Sequence, residues 1–100
     1  MKKLVRDKIP QIIEANGDIA QTYIADEAEY MMRLKEKLQE EVNEYLVDEN
    51  KEEIADILEV IDAICLAKGF DKTEIEKIKI EKKEKRGSFT KRIILESIDN

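Results

Sequence analysis

The chain has no histidine and no tryptophan, a single cysteine, a single proline and three glycines in 100 residues. Without histidine, imidazole acid–base catalysis and the Ser-His-Asp and Cys-His arrangements are excluded. Cys65 has no second cysteine to pair with and sits in an apolar stretch, which reads as a buried thiol. No apolar run approaches a membrane-spanning length, and the opening MKKLVRDKIP carries none long enough for a signal peptide. A cytoplasmic protein without a membrane partner is therefore expected. Basic residues are outnumbered, 18 against 24 acidic, for a formal charge of −6. That balance argues against gripping a nucleic-acid polymer by its phosphates, which takes clustered Lys and Arg. It leaves room for a small phosphorylated ligand whose charge a metal offsets. Charged residues make up 42% of the chain, yet aliphatic residues recur through the same stretches, so the pattern is that of a folded domain and not of a disordered chain.

What is present is helical periodicity. Pro10 fits the first turn of a short helix through Gln11–Glu14, and Asn16-Gly17 ends it. Asp18 to Ile24 reads as an extended linker or loose turn. From about Asp26 to Leu46, Met31, Leu34, Leu38, Val42 and Tyr45 recur at three- and four-residue spacing, which predicts an amphipathic helix. Glu41 falls between Leu34, Leu38 and Tyr45 on that wheel, an odd place for a carboxylate, and Glu44 lies on the same flank one turn along. Glu40 lies farther round and reads as solvated. After the short Val47–Lys51 connection a second helix should return antiparallel, with Asn50 as its N-cap and Gly69 as its C-cap. Ile54, Ile57, Leu58, Ile61, Ile64 and Cys65 give it a broad apolar arc, which predicts contact on more than one side; Glu53 lies on the arc and Asp56 at its edge. Asp71-Lys72-Thr73-Glu74 reads as a capping box for a further helix with a thin apolar face, Ile75 and Ile78, and a strongly charged end from Lys79 to Arg86. Gly87 stops it. Phe89 and Ile93-Ile94-Leu95 form an apolar tail that reads as a short strand or a segment packed on a neighbour. The expectation is one all-α domain over residues 1–100, a helical hairpin or bundle whose small core favours self-association.

The chemistry of this frame lies in four acids. Glu41 with Glu44, and Glu53 with Asp56, are pairs three apart on their helices. An antiparallel hairpin brings the two pairs to one level. Four carboxylates together repel unless a cation sits among them, and oxygen donors without His or Cys select a hard ion, Mg²⁺ or Mn²⁺. The alternative is chance spacing in an acidic chain. Lys82, Lys83, Lys85 and Arg86 near one end, and Arg6 and Lys8 near the other, offer cationic donors for a phosphate chain. A solvated helix face accounts equally for most of the lysines. Tyr23, Tyr30 and Tyr45 would stack on a base or pack between helices.

Glu40-Glu41-Val42-Asn43-Glu44 followed by Glu53-Ile54-Ala55-Asp56 resembles the EExxE…ExxD pattern of the all-alpha nucleoside triphosphate pyrophosphohydrolases, the superfamily of the MazG proteins. Lys3-Leu4-Val5-Arg6-Asp7-Lys8-Ile9-Pro10 and Lys85-Arg86-Gly87-Ser88-Phe89 are similar to a MazG-like, phosphoribosyl-ATP pyrophosphohydrolase-related branch, with Ser88 where that branch usually carries a second glycine. The resemblance spans nearly the whole chain except about Asp18 to Ala28. It implies a helical homodimer or homotetramer in which Glu41, Glu44, Glu53 and Asp56 hold Mg²⁺. It further implies that Glu40 orients water or serves a second ion, and that Arg6, Lys8, Lys85 and Arg86 hold phosphates. The implied reaction is hydrolysis of a nucleotide at the α–β bond, releasing pyrophosphate and a monophosphate, with Glu44 or Glu41 taking the proton from water. House-cleaning of non-standard nucleotides is the role this suggests. A sensor that binds Mg²⁺-nucleotide without hydrolysis and a helical interaction scaffold are the rival readings.

Overall fold

Four helices form in chain order, and each begins or ends where the local chemistry dictates. The computed structural model describes residues 2–99, so the two end residues of the expected domain lie outside the described ones. The helices are α1 (Ile9–Ala15), α2 (Glu27–Asp48), α3 (Lys51–Lys68) and α4 (Lys72–Arg86), and no strand occurs among the described residues. The chain divides into two compact units, one up to Gly69 and the other from Phe70 onward.

In the first unit, Pro10 stands in the first turn of α1, where its missing N–H costs nothing. Residues 18–26 are irregular. The Asp26 side chain accepts a hydrogen bond from the Glu29 N–H at 2.8 Å, starting α2. At its other end Glu49 adopts a left-handed conformation, φ 50°, while its N–H donates to the Tyr45 carbonyl. Asn50 follows at once as the N-cap of α3, its side-chain oxygen accepting from the Glu53 N–H at 3.1 Å. Two residues thus separate the helices, and α2 packs on α3 as an αα-hairpin. Gly69 closes α3 at φ 72°, a conformation that favours a residue without Cβ.

Leu34, Val60 and Cys65 are the buried hydrophobic residues, and Glu41 is buried with them. On α3 the stripe that turns inward is Glu53, Ile57, Val60 and Ile64, at i, i+4, i+7 and i+11. The broad arc expected from the sequence is there, but a single hairpin covers one stripe of it. Ile54, Leu58 and Ile61 form a second stripe that stays 42%, 56% and 39% exposed. Cys65 continues that second stripe by spacing and is nonetheless buried, as its apolar setting suggested.

In the second unit, Asp71 caps α4 by accepting from the Thr73 N–H at 2.9 Å, one residue short of the Glu74 N–H that a capping box would engage. Gly87 ends the helix at φ 83° and ψ −178°, backbone open to glycine. The apolar tail forms neither helix nor strand. Phe89, Ile93, Ile94, Leu95 and Ile98 stand exposed.

Candidate metal centre

The antiparallel return of α3 along α2 sets the C-terminal half of one helix against the N-terminal half of the other, and there the acidic residues meet. Glu41, Glu53 and Asp56 each present a carboxylate oxygen within 4.8 Å of the others. Glu41 occupies the middle of the inward stripe of α2 and is 7% exposed; Glu53 and Asp56 are half-buried. Glu41 Oε2 and Glu53 Oε2 are both buried without a hydrogen-bond partner. A buried carboxylate oxygen left without a donor is costly, so the arrangement carries an unmet demand for a cation or a proton.

Glu53 displays that demand directly. Burial, a hydrogen bond shared with Glu44, and the negative charges of Glu44, Asp56 and Asp48 all raise its pKa above the ordinary carboxylate value of 4.5. Glu44 itself is exposed, at the rim of the cluster, and its negative charge acts on Glu53. The hairpin thus brings all four sequence-selected acids into one neighbourhood, with three as a compact group and Glu44 joined to it through Glu53.

Glu40 faces elsewhere. Its carboxylate lies 3.3 Å from Lys37 Nζ and 3.7 Å from Lys3 Nζ, and it is not one of the three grouped acids. Arg6, from the segment ahead of α1, reaches Asp56: its Nη2 donates to Oδ1 at 2.8 Å across 50 residues of sequence. Lys8 is exposed at the N-cap position of α1. Lys85 and Arg86 lie in the last turn of α4, in the other unit, where they suit the negative end of the helix dipole. Tyr30 and Tyr45 are half-buried on α2. Tyr23 is exposed, donates to Glu29 Oε2 at 2.6 Å, and has the Lys2 ammonium 5.3 Å from its ring centroid.

Sequence reasoning passed over Lys37. Its side chain is 17% exposed and its Nζ lies 3.3 Å from Glu41 Oε1 as well as from Glu40 Oε2. Burial pushes the Lys37 pKa down, but its bonds to Glu41 and Glu40 outweigh this and hold the ammonium above the ordinary lysine value. The signal was legible as a lysine four residues ahead of a carboxylate on the core stripe, a spacing at which helical side chains meet.

The donor set fits a hard divalent cation: every group is a carboxylate oxygen, and none is sulfur or imidazole. The chain matches no protein-family model, none of the curated proteins and no solved structure.

Proposed function

We propose that this protein is a Mg²⁺-dependent nucleotide pyrophosphohydrolase that cleaves a nucleoside triphosphate, or a related nucleotide, between the α and β phosphates. The observation that carries this reading is the carboxylate of Glu41, which groups with those of Glu53 and Asp56 and whose Oε2 is buried without a partner. A scaffold gains nothing from a buried carboxylate oxygen left without a partner. The similarity of Glu40–Glu44, Glu53–Asp56 and the two terminal basic motifs to the all-alpha pyrophosphohydrolases supports the same conclusion.

In this reading Glu41, Glu53 and Asp56 hold the ion, with Glu44 joining them at the rim. When bound, Mg²⁺, or Mn²⁺ in its place, neutralises charge developing on the phosphate oxygens and polarises the attacking water. Glu44, exposed at the rim beside Glu53, is the carboxylate best placed to take the proton from water. Glu41, the other acid weighed for that task, is buried and would serve as a ligand. Arg6 lies against the cluster through Asp56 and is within reach of phosphates bound there. Lys8 would add a further phosphate contact, and the protein would act as a homodimer or homotetramer. The resemblance would have Glu40 orient water or serve a second ion, although here it is paired with Lys37 and Lys3.

Pyrophosphate release from a panel of standard and modified nucleoside triphosphates, with and without Mg²⁺, tests the proposal on wild type and Glu53→Gln. Release that needs Mg²⁺ and falls by about a hundredfold or more in the variant is expected, since removing an electrostatic partner of the transition state costs rates of that order. Mg²⁺-dependent nucleotide binding without release would replace the enzyme with a sensor. Absence of both binding and release would leave a scaffold.

A further inference from the structure

The two oxygens of the Glu41 carboxylate have different surroundings. Oε1 lies 3.3 Å from the Lys37 ammonium, while Oε2 is buried and has no partner. Lys37 is one turn earlier on α2, and its ammonium also donates to Glu40 Oε2 at 3.3 Å. Glu40 is held in turn by Lys3 at 3.7 Å. With 17% of its side chain exposed, Lys37 cannot swing freely into water. A glutamate set alone in an apolar stripe would rotate outward or take up a proton. Here one oxygen is tied to a protein cation, which fixes the carboxylate and leaves the other oxygen over for a ligand.

We propose that Lys37 is a positioning residue of the acidic site: it holds Glu41 through Oε1 so that Oε2, already stripped of water, is presented to a divalent cation shared with Glu53 and Asp56. The proposal rests on the reading of that group as a cation site. It makes a claim about sign that simple charge does not. An ammonium near a bound cation repels it, so if Lys37 acted only through its field, removing it would tighten metal binding. If Lys37 orients a ligand, removing it loosens binding, as loss of the groups that orient metal ligands costs about 10–100-fold in affinity. Positioning and field effects therefore pull the same measurement in opposite directions.

The experiment titrates Mn²⁺ alone, with no nucleotide, into the full chain and counts free ion by its paramagnetic resonance signal. Wild type, Lys37→Met, Lys37→Arg and Glu53→Gln are compared, each first shown to be helical by circular dichroism. Binding about tenfold or more weaker in Lys37→Met is expected. Most of it should return in Lys37→Arg, which keeps a cation within reach of Glu41. Equal or tighter binding in Lys37→Met overturns the positioning role while leaving the metal site standing. Should that variant lose its helix, Lys37→Gln takes its place: weaker binding supports the positioning role, and equal or tighter binding overturns it. A wild-type chain that binds no Mn²⁺, or binds it as well after Glu53→Gln, overturns the cation site and the role of Lys37 together.

Discussion

A carboxyl group crowded by other carboxylates holds its proton more tightly than it would in the unfolded chain, and this ties stability to pH. Glu53 is in that position, its pKa raised by burial and by Glu44, Asp56 and Asp48. Between the ordinary value of 4.5 and its higher folded value, the folded protein carries more protons than the unfolded one. Stability therefore falls as pH rises through that window, the opposite of the usual ion-paired carboxylate. Thermal unfolding of metal-free protein from about pH 4 to about pH 8 should show this component in wild type and lack it in Glu53→Gln. At neutral pH the variant should melt higher than wild type, because the repulsion goes while the Asn50 cap, which uses the Glu53 backbone N–H, remains. Saturating Mg²⁺ should raise the melting temperature of wild type and do little for the variant. A variant that melts lower at neutral pH would mean that the crowding carries no weight in the folding equilibrium.

At the scale of the elements, the caps decide where the acids meet. Asn50 accepts from the Glu53 N–H and so fixes both the first turn of α3 and the level at which Glu53 enters the hairpin. Asn50→Ala should cost about 1 kcal/mol of stability, read as a lower denaturant midpoint at unchanged slope. A change within error would mean that packing of α3 on α2 alone sets that turn. The signals for these elements were local, which is why they were legible: Pro10 and Asn16-Gly17 bracket α1, Asn50 and Gly69 bracket α3, and the spacing of Leu34, Leu38 and Tyr45 marks the inward face of α2. The pairing of Glu41 with Glu53 and Asp56 followed from the short connection and the three-residue spacings. What was not legible depends on which stripe a neighbour covers. By pattern Ile54, Leu58 and Ile61 looked as buried as Ile57, yet they stay exposed while Val60, left out of that arc, is buried. The tail after Gly87 has strand-like composition, but a strand needs a partner to complete its hydrogen bonds, and none forms among the described residues. The Arg6–Asp56 and Lys37–Glu41 contacts required the folded geometry, the first because it spans 50 residues and the second because its importance rests on Glu41 being buried.

For the molecule as a whole, the question is whether so small a core suffices. Leu34, Val60 and Cys65 are the buried hydrophobic residues among those described, while Ile54, Leu58 and Ile61 of α3 face outward. Enclosing what remains exposed of Ile54, Leu58 and Ile61 would yield about 1 kcal/mol per side chain, or about 6 kcal/mol across a two-fold contact between copies. A micromolar dimer needs about 8 kcal/mol net of association costs, so that stripe alone does not hold one. Leu46 and Val47, exposed at the end of α2, are further apolar area available to such a contact. The expected outcome is that the protein sediments above its monomer mass of 11.7 kDa at micromolar concentration. Leu58→Glu and Leu46→Glu should each shift it toward monomer, and Leu58→Glu should also lower stability, because the stripe it disrupts is what a small core lacks. If only Leu58→Glu acts, the contact is confined to α3 and each side chain there contributes more than 1 kcal/mol or so. A wild-type chain that stays monomeric would mean that the apolar stripe of α3 is left uncovered by a second copy, and the homo-oligomer would have to be abandoned while the acidic site of a single hairpin stood unchanged.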